Sequence, residues 1–161
     1  MKTIIVIRHT KSDWSNLLPD FDRPIREDRK EDTRAIAKEI EKKGPMPQAI
    51  ISSPAKRTLQ TAKILCDKWK FKFKDVSGYA ALYEGTTADI LAAVKSTDEK
   101  YDVVAVICHN PGITAFVNQY SGVRIDNVPT TGAVGIRFDV SHWKEIQNQG
   151  KMQWFLQPKS L

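Results

Sequence analysis

The sequence predicts an α/β fold built on a largely parallel sheet, with an antiparallel end allowed. Three observations carry this. Short apolar, β-branched runs at Thr3–Ile7, Ala49–Ser52 and Asp102–Cys108 lack polar alternation and therefore read as strands buried on both faces. Segments of helical character separate them. Each run also ends in a polar cluster that opens a turn or a helix.

Taken in order, Thr3–Ile7 is the first strand. Residues 10–30 are polar and irregular, with Pro19 and Pro24. Glu31 to Lys43 places Ala35, Ile36 and Ile40 on one face and stops at Gly44, which reads as a helix. Ala49–Ser52 is the second strand. Ser53-Pro54 reads as an N-cap followed by proline at the first helical position, with the helix running to about Trp69. Residues 71–77 are a strand candidate: Lys68, Lys70, Lys72 and Lys74 alternate with Trp69, Phe71 and Phe73, as on a solvated edge. Thr86/Thr87 to about Lys95 is a helix, and Asp102–Cys108 a core strand. Asn110-Pro111 is a further cap and first turn, and Asp126–Pro129 is a loop. Ala133–Asp139 and Met152–Leu156 are the final strands. Trp143, Trp154 and Phe155 are expected in the core.

The chain has 161 residues, a size at which roughly 70% of the unfolded surface is buried without staples. It is read as one domain over 1–161. No apolar run approaches the roughly 18 residues of a membrane span, and the start is too short in apolar residues for a signal-peptide core. The expectation is a cytoplasmic protein with no membrane partner. Cys66 and Cys108 have no metal or redox spacing. The net charge of +6 is uneven: residues 1–75 carry 18 Lys and Arg against 11 Asp and Glu, the remainder 7 against 8. A basic half suits nucleic acid, a small anion or a solvated face. The lysine–aromatic stretch is read as solvated, and no nucleic-acid partner is expected.

The chemistry gathers at strand ends. The first strand ends in Arg8-His9, the second leads through Ser52-Ser53-Pro54 to Arg57, and the third ends in His109 before Asn110-Pro111-Gly112. In an open parallel sheet, ligands bind beyond the carboxyl ends of the strands, where helix N-termini also offer free N–H groups. Two guanidinium forks and two imidazoles at one edge suit a phosphoryl group.

These residues resemble a family. Arg8-His9-Thr10 is similar to the Arg-His-Gly signature of the histidine phosphatase (phosphoglycerate mutase-like) superfamily. The run Ser52-Ser53-Pro54-Ala55-Lys56-Arg57-Thr58-Leu59-Gln60-Thr61-Ala62 matches its second motif, and Cys108-His109-Asn110-Pro111-Gly112 its third. Within the superfamily, several features resemble the SixA-type phosphohistidine phosphatases: the short length, Lys11-Ser12-Asp13-Trp14, Asp22-Arg23-Pro24, Leu82-Tyr83, and Pro129-Thr130-Thr131-Gly132-Ala133. Thr10 and Cys108 stand where glycine is usual. Cys108 is expected to face the core.

The resemblance implies a three-layer α/β/α sandwich of phosphoglycerate mutase-like fold. It also implies hydrolysis of phosphohistidine on a protein through a covalent phosphohistidine enzyme. His9 would be the nucleophile, its second nitrogen fixed by a backbone carbonyl and its pKa lowered by the neighbouring arginines. Arg8, Arg57 and His109 would bind the phosphoryl oxygens, so that neither metal nor cofactor is expected. Glu84 or Asp13 could be the general acid, and a phosphohistidine leaving group needs little acid help. Lys11 and Arg23 are placed at the entrance or on the surface, and His142 has no role. A small phosphorylated metabolite as substrate, or phosphate binding without turnover, remain the alternatives. Oligomeric state is open.

Overall fold

A computed structural model describes residues 1–159. Strands β1 (Lys2–Arg8), β2 (Ala49–Ser52), β3 (Ser77–Gly78), β4 (Val103–Cys108), β5 (Ala133–Phe138) and β6 (Lys151–Leu156) form one sheet in the order β3-β2-β4-β1-β5-β6. The first four are mutually parallel, and β5 runs antiparallel to both β1 and β6.

Helices α1 (Lys30–Lys43) and α2 (Lys56–Trp69) pack together on one face. Helices α3 (Thr87–Lys95) and α4 (Gly112–Tyr120) pack together on the other. Successive strand residues alternate between two buried clusters. Ile4, Val6, Val104 and Val106 join Phe116, Phe138 and Trp143. Ile5, Ile7, Ala105 and Ile107 join Ile36, Ile40 and Leu65. That is why the strands read as unbroken apolar runs: a period of two is masked when both faces are covered. Trp154 and Phe155 are half-buried against these clusters, and Cys108 lies within the first.

The helices follow from local chemistry. Helix α1 carries Glu31 and Asp32 in its first turn and Lys42 and Lys43 in its last, matching the macrodipole, and stops at Gly44 with φ of +56°. Helix α3 begins with a full capping box between Thr86 and Asp89.

Two sequence expectations are corrected. Helix α2 starts at Lys56, two residues later than a proline-first helix would, because Ser53 and Pro54 are still leaving the sheet: Ser53 N donates to Ile107 O at 3.0 Å. Residues 71–77 are not a strand. Lys70 takes a left-handed conformation at the end of α2 and a 3-10 turn covers Phe73–Asp75, so only Ser77–Gly78 pairs with β2. The lysine–aromatic alternation spans a helix end and a turn: Trp69 folds inward, its indole donating to Ala37 O at 2.9 Å.

Candidate active site

Three adjacent strands deliver the candidate residues. Register pairs Arg8 of β1 with Cys108 of β4, and Ser52 of β2 with Ile107 of β4. His9, His109 and Ser53 therefore leave the sheet at nearly the same height. The rings of His9 and His109 lie 5.3 Å apart, and His109 Nε2 sits 2.7 Å from Ser53 Oγ. Arg57 enters from the first turn of α2, and Gly112 begins α4 just beyond His109. His9, Arg57 and His109 are buried, and Arg8 is half-buried.

The His9 ring has a defined tautomer. Nδ1 lies 2.7 Å from Thr10 O, a carbonyl that can only accept, so Nδ1 carries the proton and Nε2 holds a lone pair. Burial is the main force that lowers the imidazole pKa, to about 3. The Thr10 carbonyl pulls it back up, and His109, Arg57 and Arg8 add smaller downward pushes. The sequence argument assigned this lowering to the arginines; desolvation outweighs them. His109 is lowered to about 4, again chiefly by burial and then by Arg57.

Arg8 Nη1 donates to Val128 O at 3.0 Å. Arg8 Nε, Arg57 Nε and His109 Nδ1 are buried with no hydrogen-bond partner among the described residues. Buried polar atoms without partners are costly, and an anion supplies acceptors for the two guanidinium N–H groups. The chemistry of this set, two guanidinium groups and two neutral imidazoles, fits a phosphoryl group.

Thr10 does not intrude on the site. Its hydroxyl turns inward to Thr33 and receives Thr131 Oγ1 at 3.1 Å, while its N–H donates to Thr61 Oγ1 at 2.9 Å. The threonine thus ties the loop after β1 to α1, α2 and the turn before β5. Cys108 faces the core, its thiol pushed up to about 12 by burial, which leaves it inert.

The other candidates are more dispersed. Glu84 is exposed, adopts φ of +58°, and makes no side-chain hydrogen bond among the described residues. Asp13 caps its own turn, accepting from Ser15 N at 2.8 Å, which holds it below its ordinary pKa. Lys11 is exposed, while His142 contacts Glu99 away from the site. Arg23 is not a surface charge: it is buried, donating to Ser12 Oγ at 2.6 Å and to Asp20 Oδ1 at 2.7 Å.

Sequence reasoning missed Asp20. Its backbone oxygen accepts from Arg57 Nη1 at 2.7 Å and its carboxylate from Arg57 Nη2 at 3.1 Å. Tyr83 OH donates to the same carboxylate at 2.6 Å. The Tyr83 and Arg23 hydrogen bonds, with the Arg57 charge, hold the Asp20 carboxyl well below the usual carboxylate range, and the bond to Asp20 raises Tyr83. The Tyr83 ring in turn packs edge-on to His109, with centroids 5.7 Å apart. The available signal was Asp20 lying three residues before Arg23-Pro24 and Tyr83 lying beside Leu82, but their pairing across 63 positions is a tertiary fact.

Comparisons with known proteins bear on the family and the fold. The family model for the histidine phosphatase superfamily (branch 1) matches residues 4–84. An uncharacterised chloroplastic protein of Arabidopsis thaliana is 29% identical over 153 residues, covering 89% of this chain and 70% of that protein. Among solved structures, a SixA protein from Agrobacterium tumefaciens superposes with a TM-score of 0.80 at 22% identity, over 98% of each chain. The protein histidine phosphatase SixA complexed with tungstate superposes with a TM-score of 0.83 at 19% identity, again over 98% of each chain. The six-stranded α/β architecture is the fold of these proteins.

Proposed function

The chain belongs to the histidine phosphatase superfamily, and from that premise we propose that it hydrolyses phosphohistidine on a protein through a covalent phosphohistidine at His9. The observation that carries this is the His9 tautomer: Nδ1–H is held by Thr10 O, and the Nε2 lone pair is free within a cluster of cationic and N–H donors.

His9 Nε2 attacks phosphorus, and the bond to the substrate's imidazole nitrogen breaks with its electron pair on the leaving ring. That ring departs neutral when its remote nitrogen carries a proton. The phosphorylated His9 ring bears a positive charge, which the Thr10 carbonyl stabilises by accepting from Nδ1–H. Arg8 and Arg57 balance charge on the phosphoryl oxygens. If Ser53 Oγ–H donates into His109 Nε2, then His109 Nδ1 carries a proton and donates to the same oxygens. Water then attacks phosphorus, the P–Nε2 bond breaks, and His9 regains its lone pair as inorganic phosphate leaves. The described residues are read as one histidine phosphatase domain.

The choice of phosphohistidine over a phosphate ester rests on the acid. Glu84 stands exposed, and Asp13 is committed to Ser15 with a lowered pKa. An alkoxide leaving group requires a poised acid; an imidazole does not. The SixA proteins are structural neighbours at this fold, which supports the same reading.

The test is acid-quench labelling from a 32P-phosphohistidine carrier protein in the presence of a chelator, with p-nitrophenyl phosphate turnover measured beside it. Label is expected on the parent enzyme and none on His9→Ala, whose turnover falls by at least about a thousandfold. Turnover of the ester with the carrier untouched would reassign the substrate to a small phosphomonoester. Loss of labelling in chelator would overturn the metal-free mechanism.

A further inference from the structure

Resting on that reading, we propose that the loop of residues 14–21 and the adjoining end of α2 form the docking surface for the phosphoprotein, selecting a protein face that places apolar and acidic side chains around its phosphohistidine.

Large apolar side chains are rarely left in water in clusters. Among the described residues seven are exposed, and four of them, Trp14, Leu17, Leu18 and Phe21, lie in this one loop. Leu17 is fully exposed and Trp14 is 74% exposed. The loop is nonetheless anchored. Ser12 bridges Ile25, Asp13 N donates to Pro24 O at 2.8 Å, and Arg26 N donates to Lys11 O at 2.8 Å. The Arg23 guanidinium stacks on the Trp14 ring at 3.3 Å while bonding Ser12 and Asp20. A fastened loop that displays leucines to solvent loses little conformational entropy when a partner covers it.

The surface is continuous with the reacting centre. The Tyr83 ring contacts His109 on one side and Phe21, at 5.0 Å between centroids, on the other. Phe21 then forms one wall of an apolar groove completed by Pro54, Leu59 and Phe73, with Lys56 and Lys63 along it. Phe73 is flanked in the chain by the exposed Lys72 and Lys74. The lysine–aromatic stretch, which the catalytic mechanism does not use, thus places the Phe73 ring in the groove, with the exposed Lys72 and Lys74 beside it in the chain. Apolar floor and cationic rim together select a protein partner with complementary apolar and carboxylate groups. The aliphatic Leu17 and Leu18 offer no stacking plane to a nucleobase.

Three phosphohistidine probes test this: the free amino acid, a peptide with leucine and glutamate flanking the phosphohistidine, and a peptide of equal length with serine there. The parent is expected to hydrolyse the leucine–glutamate peptide with a kcat/KM about tenfold above that of the serine peptide. Leu17→Ser, and separately Lys72→Glu combined with Lys74→Glu, are expected to remove most of that preference through KM, with free phosphohistidine turnover unchanged. These positions are exposed and outside the phosphoryl site, so folding is not at stake. Equal kcat/KM for both peptides, or a preference that survives in both variants, would overturn the docking surface alone. A parent that hydrolyses p-nitrophenyl phosphate but none of the three probes would overturn the phosphohistidine reading, and the docking surface with it.

Discussion

As the proposed nucleophile, His9 needs its lone pair, and burial keeps it available. With its pKa near 3, the imidazole is unprotonated throughout the neutral and mildly acidic range. The pH profile of kcat/KM should therefore lack an acid limb near 6.5 that belongs to the enzyme. Profiles for two esters whose phosphoryl groups ionise at different pH separate the cases: a limb that moves with the substrate fits, and one fixed near 6.5 contradicts it. Asp20 sets a second expectation. Its carboxylate is the anion that Arg57 holds, and a phosphoryl group bound as proposed would compete with it. Asp20→Asn should tighten tungstate binding several-fold, measured by calorimetry, and let the raised pKa of Tyr83 fall toward its ordinary value in an ultraviolet titration. Weaker tungstate binding would show instead that Asp20 chiefly holds Arg57 in place. Arg8, His9, Arg57 and His109 were legible in the sequence because each is tied to a strand end by short-range chain geometry. Asp20 was not, because nothing local distinguishes a loop carboxylate that meets an arginine 37 residues away from one that meets water.

At the scale of elements, the site depends on two backbones in close contact. A Cβ on Gly112 would lie 2.3 Å from Gly85 O, so the loop carrying Tyr83 and Glu84 rests directly on the first turn of α4. Gly112→Ala falls at the first residue of α4, where alanine gains less than the roughly 1 kcal/mol of a helix interior. The clash is with a backbone carbonyl that cannot swing aside, at a cost of about 1–3 kcal/mol. Repulsion wins: urea denaturation should show a net loss of stability, and kcat should fall as Tyr83 is displaced from Asp20 and His109. Unchanged stability and rate would mean the loop is free to shift. The same scale explains the errors in the sequence reading. Strands β1, β2 and β4 were placed to within a residue because apolar runs of β-branched residues are distinctive. The segment after α2 was not, because alternation at period two is also produced by a helix end followed by a turn, and only the Lys70 backbone distinguishes the two.

For the whole molecule, burying two neutral imidazoles makes stability sensitive to acid. In the unfolded chain both histidines take up protons near 6.5; in the folded protein they do so only near 3 and 4. Between those values the unfolded chain binds more protons, so stability decreases as pH falls from 6.5 toward 4 and is flat with respect to these groups above 6.5. Each contributes a slope of up to about 1.4 kcal/mol per pH unit. Urea midpoints measured from pH 8 to 4 should trace this loss, and His9→Gln should remove roughly one proton's share of it; identical slopes in the two proteins would refute the assignment. The covering of the sheet on both faces and its largely parallel character follow from patterning, since a strand apolar on both faces must be covered on both, and α1 and α2 on one side with α3 and α4 on the other meet that requirement. Residue types at the strand ends likewise carry the family resemblance, because motif and strand terminus are both local in the chain. Strand register, the side on which Thr10 and Cys108 hide their side chains, the Tyr83–Asp20–Arg57 contact and the apolar loop beside the site all depend on contacts between distant residues. Such contacts are set by packing the whole chain at once, and no local pattern encodes them.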